Sequence, residues 1–156
     1  KLINPITNVK IYNFRLDSTN LKKIINNYDY IVDGSDNFQS KFLINDFCLK
    51  FKKFLVTGAI SKFDGHIFTF DFKDKNVPCL RCFFQESKIS DDILNCESEG
   101  VLGTIAGVVG TIQANEILKK ILNIGQNLNN YILIIDLLNL NFRKVKIKKR
   151  SNCLCN

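Results

Sequence analysis

Two close-set cysteine pairs are the residues of this sequence best suited to bind a metal. Cys79 and Cys82 are separated by two residues, and Cys153 and Cys155 by one residue at the end of the chain. Each such pair can supply two adjacent corners of the tetrahedron of thiolates that a structural zinc ion prefers. We therefore expect a zinc site that joins the end of the chain to a loop near its middle, with reduced structural thiols as the alternative.

An acidic segment follows the second apolar run of the chain. It reads Asp33-Gly-Ser-Asp36-Asn37 and lies between a predicted strand and a predicted helix. In open α/β sheets ligands bind at the carboxyl ends of strands, where an acid can hold Mg²⁺ against phosphate oxygens. Asp36 or Asn37 can instead cap the next helix, and the local sequence alone favours the cap.

Three further residues have side chains that can react. Cys96 stands alone in a long polar loop before a predicted helix, where a thiol can be activated as a nucleophile, although a lone cysteine is more often inert. Cys48 lies on the apolar face of a predicted helix and fits that inert role. His66 is the single histidine, so no Ser-His-Asp or Cys-His arrangement is supported.

The composition is that of one globular domain. The chain has 156 residues, of which 46% are hydrophobic and 24% charged, with a net charge of +7. Residues 143–150 hold six of the basic side chains, so the charge favours a solvated strand over a nucleic-acid surface. The sequence shows neither an apolar run of ~18 residues nor a signal peptide, and we expect a cytoplasmic protein without a membrane segment.

The hydrophobic pattern predicts an α/β fold. Strands and helices alternate in the first half, which is typical of a parallel sheet with right-handed crossovers. The second half reads as strand, helix and a strand pair, with Val145 and Ile147 pointing inward. The predicted strands are 9–14, 28–33, 54–56, 66–72, 131–136 and 141–148, and the predicted helices are 21–27 (capped by Ser18 and Thr19), 38–51 and 101–122.

In this order the motifs resemble the MoeB/ThiF family. The motifs are Asp-x-x-Asp-Asn, Cys-x-Arg-Cys, a loop cysteine before Glu-x-Glu-Gly-Val-Leu, Gly-Val-Val-Gly-Thr-Ile-Gln-Ala-x-Glu, and the terminal cysteines. Members adenylate the C-terminal glycine of a ubiquitin-like sulfur carrier with Mg-ATP, for molybdopterin or thiamine biosynthesis. The resemblance implies that Asp36 faces Mg²⁺ beside ATP with Asn37 next to it. It also implies that Cys79, Cys82, Cys153 and Cys155 ligate zinc, and that Cys96 takes part in sulfur transfer.

The resemblance covers the C-terminal two-thirds of such a protein, so we expect residues 1–156 to form a single, partial domain. Its fold would be a Rossmann-like, mostly parallel sheet lacking the N-terminal nucleotide-binding unit, with an antiparallel extension and a zinc tether. The expected function is adenylation that is incomplete in this chain, which lacks the family's Gly-rich ATP loop. The alternative is an inactive, zinc-stapled remnant that docks the carrier.

The resemblance also implies a homodimer. Lys41 stands where the family usually has arginine, and Cys-x-Cys replaces Cys-x-x-Cys.

Overall fold

The computed structural model describes residues 3–84, 100–153 and 155. Its elements are four helices and five strands within those residues. In chain order they are α1 (Ser18–Ile25), β1 (Tyr30–Asp33), α2 (Phe38–Lys50), β2 (Phe54–Ser61), β3 (Asp64–Asp71), α3 (Leu80–Phe83), α4 (Gly103–Leu122), β4 (Tyr131–Asp136) and β5 (Asn141–Lys146).

The five strands form one mixed sheet in the order β1-β2-β3-β4-β5. β1 and β2 are parallel, whereas the other three neighbouring pairs are antiparallel. The α/β class is therefore confirmed, but the prediction of a mostly parallel sheet is wrong. The reason is that β2 continues to Ser61 and turns directly into β3 at Lys62, whose φ of 48° suits a tight reversal. A hairpin needs no crossover helix, and the next strands follow antiparallel.

Residues 9–14, which the structure describes, form no strand, so that prediction is also wrong. Ile11 is 86% exposed and Val9 57% exposed, and no strand of the described chain pairs with them. An alternating pattern needs a neighbouring strand to become a sheet element. The cap of α1 differs as well: Asp17 accepts hydrogen bonds from the backbone N–H groups of Thr19 and Asn20, both at 2.8 Å.

Helices cover both faces of the sheet. Leu55, Phe68, Phe70 and Ile132 pack with α1, α2 and α3 on one face. Phe54, Val56, Ile67 and Ile135 pack with α4 on the other. This alternation along β2 follows from the period of two of a strand. β5 lies at the edge with all six residues exposed, so the predicted inward position of Val145 is wrong, while Ile147 is buried just beyond the strand.

α4 approaches the sheet closely at two glycines. A Cβ at Gly58 would lie 2.8 Å from the Gln113 side chain, and one at Gly65 would lie 2.5 Å from Val109 Cγ2. The helix ends as the sequence indicates, with Asn123 in the left-handed conformation before Gly125.

Glu116 anchors α4 through its buried carboxylate, which is 1% exposed. The carboxylate forms an ion pair with Lys119 and accepts hydrogen bonds from Leu128 N (2.8 Å) and Thr69 Oγ1 (3.1 Å). Burial opposes ionisation, yet Lys119 and the hydrogen bonds from Leu128 N and Asn127 Nδ2 hold the pKa of Glu116 below its ordinary value.

We expect Glu116→Gln to lower the free energy of unfolding by about 2–3 kcal/mol at pH 7. Because the folded-state pKa is lowered, the contribution of the carboxylate is present above its unfolded pKa of about 4.3 and is lost as pH falls through the folded value. Urea unfolding at several pH values should therefore show the difference between the two proteins shrinking below about pH 4. The exposed Asp64→Asn serves as the control, and a difference that is constant with pH would contradict this role.

Candidate active site and metal centre

The loop between β1 and α2 (residues 34–37) is shaped by the carboxylate of Asp33, the last residue of β1. Asp33 Oδ1 accepts hydrogen bonds from Ser35 N at 2.8 Å and from Ser35 Oγ at 2.6 Å. An aspartate that bonds the backbone two residues onward turns the chain, as in an Asx turn. The turn sets where Asp36 and Asn37 stand at the carboxyl end of the parallel pair β1 and β2.

Asp33 also belongs to a buried polar network at the carboxyl end of the parallel pair β1 and β2. Its Oδ2 accepts from Thr57 Oγ1 at 2.5 Å and from Lys41 Nζ at 3.2 Å, and Asp33 and Lys41 are 2% and 4% exposed. Lys41 Nζ donates to Gly58 O at 2.5 Å, and Gln113 Nε2 donates to Asp33 O at 2.9 Å. The network therefore joins β1, β2, α2 and α4 directly beneath the loop.

The sequence did not assign a role to Asp33. The available signal was an acid that ends an apolar strand, followed by a lysine at position 41 between two phenylalanines of the apolar helix face. A carboxylate and an ammonium group that are both buried in the fold need either each other or another charged or hydrogen-bonding partner.

Asp36 projects from the loop into solvent, whereas Asn37 begins α2. Asp36 Oδ1 accepts from Asn37 Nδ2 at 3.0 Å, and this hydrogen bond holds the pKa of Asp36 below its ordinary value. Asn37 Oδ1 accepts from Ser40 N at 2.8 Å, so Asn37 is the cap that the local sequence favours. The cap leaves the Asp36 carboxylate exposed beside a helix N-terminus, a setting that suits a divalent cation together with phosphate oxygens. The roles of Asp36 and Asn37 toward Mg²⁺ and ATP stay predictions.

The structure brings together the four cysteines of the two pairs, Cys79, Cys82, Cys153 and Cys155, which we call the four-cysteine cluster. Their sulfur atoms all lie within 4.8 Å of one another. Two contacts join the pairs, at 3.5 Å between Cys79 and Cys153 and 3.4 Å between Cys82 and Cys155. A tetrahedral zinc ion with Zn–S bonds of ~2.3 Å needs sulfur atoms ~3.8 Å apart. The single residue between Cys153 and Cys155 thus permits the spacing that a metal requires.

The surroundings of the four-cysteine cluster disfavour the deprotonated, thiolate form of most of its cysteines when no metal is bound. Burial, reinforced by the neighbouring sulfurs, raises the pKa of Cys79, and burial raises the pKa of Cys155 to about 12. For Cys82 burial acts in the same direction, but hydrogen bonds from the backbone of Cys79 and Arg150 bring its pKa below the ordinary value. A bound cation would displace the remaining thiol protons and replace them with metal–sulfur bonds. The donor set, four sulfurs within 4.8 Å of one another, fits such an ion.

α2 holds the first cysteine pair in place. The buried Asn45 side chain accepts a hydrogen bond from Leu80 N at 2.9 Å. Arg81 forms a two-pronged ion pair with Asp46, at 2.8 Å between Nη2 and Oδ2, and stacks 4.4 Å above the ring of Phe42. Sequence reasoning missed these contacts because they join positions 35 residues apart. The same helix therefore starts at the β1–α2 loop and supports the cluster.

The remaining candidates are placed differently. Cys96 lies outside the described residues, so its role stays a prediction. Cys48 is fully buried in α2, and burial raises the pKa of its thiol, in keeping with an inert side chain. His66 is half-buried in β3, where burial lowers its pKa. Among the described helices, none has the length and apolar character to cross a membrane.

The family model named ThiF family matches residues 1–156. The chain belongs to the ThiF family. Among its curated relatives, a sulfur carrier protein adenylyltransferase of Thermus thermophilus is 37% identical over 97% of this chain and 57% of its own length. A probable molybdopterin-synthase adenylyltransferase of Gracilaria tenuistipitata is 38% identical over 97% of this chain and 42% of its own length. The ThiF-family chain thus spans about half the length of these relatives.

Solved structures share the fold of this ThiF-family chain. The crystal structure of Escherichia coli MccB with ATP has a TM-score of 0.69 at 16% identity, covering 89% of this chain and 42% of that one. MccB with MccA-N7isoASN has a TM-score of 0.69 at 14% identity, covering 90% and 44%. At this identity the likeness establishes the fold alone. The family resemblance inferred from the sequence is confirmed.

Proposed function

We propose that this chain forms the carrier-activating part of an ATP-dependent adenylyltransferase whose substrate is the C-terminal glycine of a ubiquitin-like sulfur carrier. The observation that carries the proposal is the exposed Asp36 carboxylate at the end of the parallel strand pair, in a chain matched over its whole length by the ThiF family. The relatives named above as carrier or molybdopterin-synthase adenylyltransferases support it. The carrier would serve molybdopterin or thiamine biosynthesis.

In this proposal Asp36 and Asn37 of the β1–α2 loop have distinct tasks. Asp36 would hold Mg²⁺ beside the ATP phosphates, and Asn37 would fix the start of α2 while its amide orients the Asp36 carboxylate. Mg²⁺, when bound, neutralises phosphate charge. The Asp33–Lys41 network would keep Asp36 in position without touching the nucleotide. The carrier carboxylate would then bond to the α-phosphorus of ATP, and pyrophosphate would leave.

We propose that the four-cysteine cluster holds one structural Zn²⁺. All four coordination positions would be filled by Cys79, Cys82, Cys153 and Cys155, which leaves none for water or substrate. The ion would therefore fasten the end of the chain to α3 and, through Asn45 and Asp46, to α2. Its contribution would be to stability and not to the chemistry.

Turnover should require residues beyond these 156, because the sequence contains no Gly-rich phosphate loop of the family's kind. Phosphate groups are bound by backbone N–H groups and cations, and Asp36 by itself would repel them. We therefore propose that the chain acts together with a segment that supplies this loop. The alternative is a chain that docks the carrier and never adenylates it.

A chimera tests this proposal. Our chain would replace the segment that it matches in the Thermus thermophilus sulfur carrier protein adenylyltransferase, whose remaining residues would supply the loop. We expect carrier-dependent exchange of pyrophosphate into ATP by the chimera and none by the isolated chain. Asp36→Ala should lower the exchange by about 100-fold, since a positioned charge in a phosphoryl-transfer site is worth that much. Asp29→Ala, an exposed acid at the other end of β1, should change it less than about twofold.

Each outcome has a distinct meaning. Full exchange by the Asp36→Ala chimera would contradict the role of Asp36, and exchange by the isolated chain would contradict its dependence on another segment. A folded chimera that binds the carrier without any exchange would favour the docking alternative. For Cys96 we propose a role in sulfur transfer only, so Cys96→Ala should leave the exchange intact while removing any covalent carrier adduct.

We also propose that the protein is a homodimer, as the family resemblance implies.

A further inference from the structure

The four-cysteine cluster has a chemistry besides metal binding, because its thiols lie in contact with one another. The sulfurs of Cys79 and Cys153 are 3.5 Å apart, and those of Cys82 and Cys155 are 3.4 Å apart. The two sulfurs of a disulfide lie ~2.05 Å apart, so each contact would have to close by roughly 1.4 Å. Rotation of a cysteine side chain about χ1 covers such a distance. The contacts between the two pairs are therefore suited to forming disulfides.

The two cysteine pairs differ in how firmly they are held. Cys79 and Cys82 are buried at α3, where Cys82 N donates a hydrogen bond to Cys79 O at 2.9 Å. Cys153 and Cys155 are half-buried and lie outside the described helices and strands. A small oxidant therefore reaches the cluster at the second pair, whose backbone is not fixed by a helix or a strand.

Disulfides within each pair are the alternative, but the fold favours disulfides between the pairs. Cys79 and Cys153 are 74 residues apart in the sequence, and Cys82 and Cys155 are 73 residues apart. A cross-link between such distant positions restricts the unfolded chain far more than one that spans two or three residues, and it therefore stabilises the folded chain more. When disulfides exchange reversibly, this difference selects the disulfides between the pairs.

We propose that the four-cysteine cluster is a reversible oxidation site, at which hydrogen peroxide closes the disulfides Cys79–Cys153 and Cys82–Cys155. A sulfur of the half-buried pair attacks one peroxide oxygen, the O–O bond breaks, and a sulfenic acid and water form. The contacting sulfur of the buried pair then attacks the sulfenic sulfur, and a second water leaves. Each disulfide thus consumes two thiols and one peroxide and yields two waters, with two electrons passing from sulfur to oxygen.

Oxidation would replace one link by another at the same place. A sulfur in a disulfide is no longer the anionic ligand that a metal requires, so the metal site is lost. The two disulfides still join residues 151–156 to α3. A dithiol returns the electrons by exchange and restores the thiols. The loss of metal rests on the proposed zinc site, whereas the pairing of the disulfides rests on neither zinc nor adenylation.

The test maps the disulfides of the oxidised chain by mass spectrometry. The zinc-loaded, reduced chain would carry Cys96→Ala, so that Cys48 is its single cysteine outside the cluster. Two equivalents of hydrogen peroxide are added, and free thiols are then alkylated in denaturant. Trypsin cleavage after Arg81 separates Cys79 from Cys82, which distinguishes the two kinds of pairing.

We expect one zinc released per chain and both disulfides between the pairs, assigned by fragmentation of the linked peptide between Cys153 and Cys155. Cys48, which is fully buried in α2, serves as the internal control and should be found alkylated. Addition of dithiothreitol and zinc should restore the metal content. Disulfides within the pairs, sulfinic acids in their place, or cluster thiols that stay free at a peroxide concentration that oxidises glutathione would overturn the proposal.

Proteolysis gives a second measurement that does not depend on peptide mapping. Trypsin should cleave the oxidised chain after Lys149 and Arg150 within about twofold of the rate for the zinc-loaded chain. The double variant Cys153→Ser/Cys155→Ser is the matched comparison, because it can close a disulfide only within the first pair. After the same treatment it should be cleaved at least about tenfold faster, and equal rates would contradict a link between residues 151–156 and α3.

The outcomes separate this proposal from the others. A wild-type chain that holds no zinc but forms the same two disulfides would refute the zinc site and support the oxidation site. A chain that holds zinc and forms disulfides only within the pairs would do the reverse. Neither result would bear on carrier-dependent exchange by the chimera.

Discussion

Cys79→Ser is expected to abolish metal binding and to release the end of the chain. Cys79 is completely buried, and its sulfur lies 3.5 Å from that of Cys153. A serine hydroxyl is a poor ligand for zinc, and three thiolates left around an open position would hold the ion weakly. Zinc measured per chain after reducing purification should fall from one to nearly none.

The loss of the metal should also lower stability. Structural zinc sites contribute their binding free energy to folding, and we expect a cost on the order of 3–5 kcal/mol. For a domain of this size such a cost lowers the thermal midpoint by about 10 °C. Trypsin should then cleave after Lys149 and Arg150 at a higher rate than in the wild-type chain, because the residues beyond them are no longer fastened to α3.

Cys48→Ala is the matched control for this experiment. Cys48 is also fully buried, but it lies in α2 outside the four-cysteine cluster. Its replacement should cost about 1 kcal/mol through lost packing and should leave one zinc per chain. The metal site would be refuted by a wild-type chain with less than one zinc, or by a Cys79→Ser chain that keeps it.

Lys41→Ala is expected to have the largest effect on stability among the charged residues. It would leave the Asp33 carboxylate buried beside Thr57 without its positive partner. Removing one member of a buried ion pair costs about 3–5 kcal/mol, since the other charge stays without compensation. The free energy of unfolding in urea should fall by that amount. Lys50→Ala, at an exposed lysine of the same helix, should change it by less than about 0.5 kcal/mol.

A double variant separates the ion pair from simple loss of packing. In Asp33→Asn/Lys41→Met both charges are gone while most of the side-chain volume remains. This variant should be more stable than Lys41→Ala alone, because no unpaired charge is buried. If the double variant were less stable than Lys41→Ala, the main cost would lie in packing, and our electrostatic explanation would be wrong.

Sequence periodicity located the two longest helices well, although it predicted no helix at α3. The predicted helix over residues 38–51 is found as Phe38–Lys50, and that over 101–122 as Gly103–Leu122. In both cases apolar residues recur at helical spacing over more than three turns, and a local pattern of that length outweighs distant contacts. The start of α2 was readable because Asn37 was one of the two expected caps, whereas the left-handed Asn123 at the end of α4 was not singled out from the sequence.

Strand pairing was harder to predict because it depends on partners far along the chain. The sequence predicts a strand over residues 54–56 only, yet β2 continues to Ser61. Gly58 is small because Gln113 and Val109 of α4 approach it there, and not because the chain turns. The resulting long hairpin makes most of the sheet antiparallel, which local propensities could not indicate.

The cysteine spacing predicted the four-cysteine cluster, since ligands of one metal tend to come in close pairs. The contacts that hold the β1–α2 loop and the first cysteine pair in place were not predictable in the same way. The contacts of Lys41 with Asp33 and Gly58, and of Asn45 with Leu80, form only when separate elements pack together. Around Lys41 and Asn45 the sequence shows polar residues within apolar runs. This pattern indicates buried hydrogen-bond or ion-pair partners but does not identify them.

The most direct measurement of the central claim is transfer of AMP to the carrier. The zinc-loaded chimera would be incubated with a sulfur carrier protein and Mg-ATP labelled in the α-phosphate. We predict that the label appears on the carrier as an acyl-adenylate, and that a carrier lacking its terminal glycine takes up none. A folded, zinc-loaded chimera that binds the carrier and leaves it unlabelled would contradict the claim that this chain forms the carrier-activating part of an adenylyltransferase.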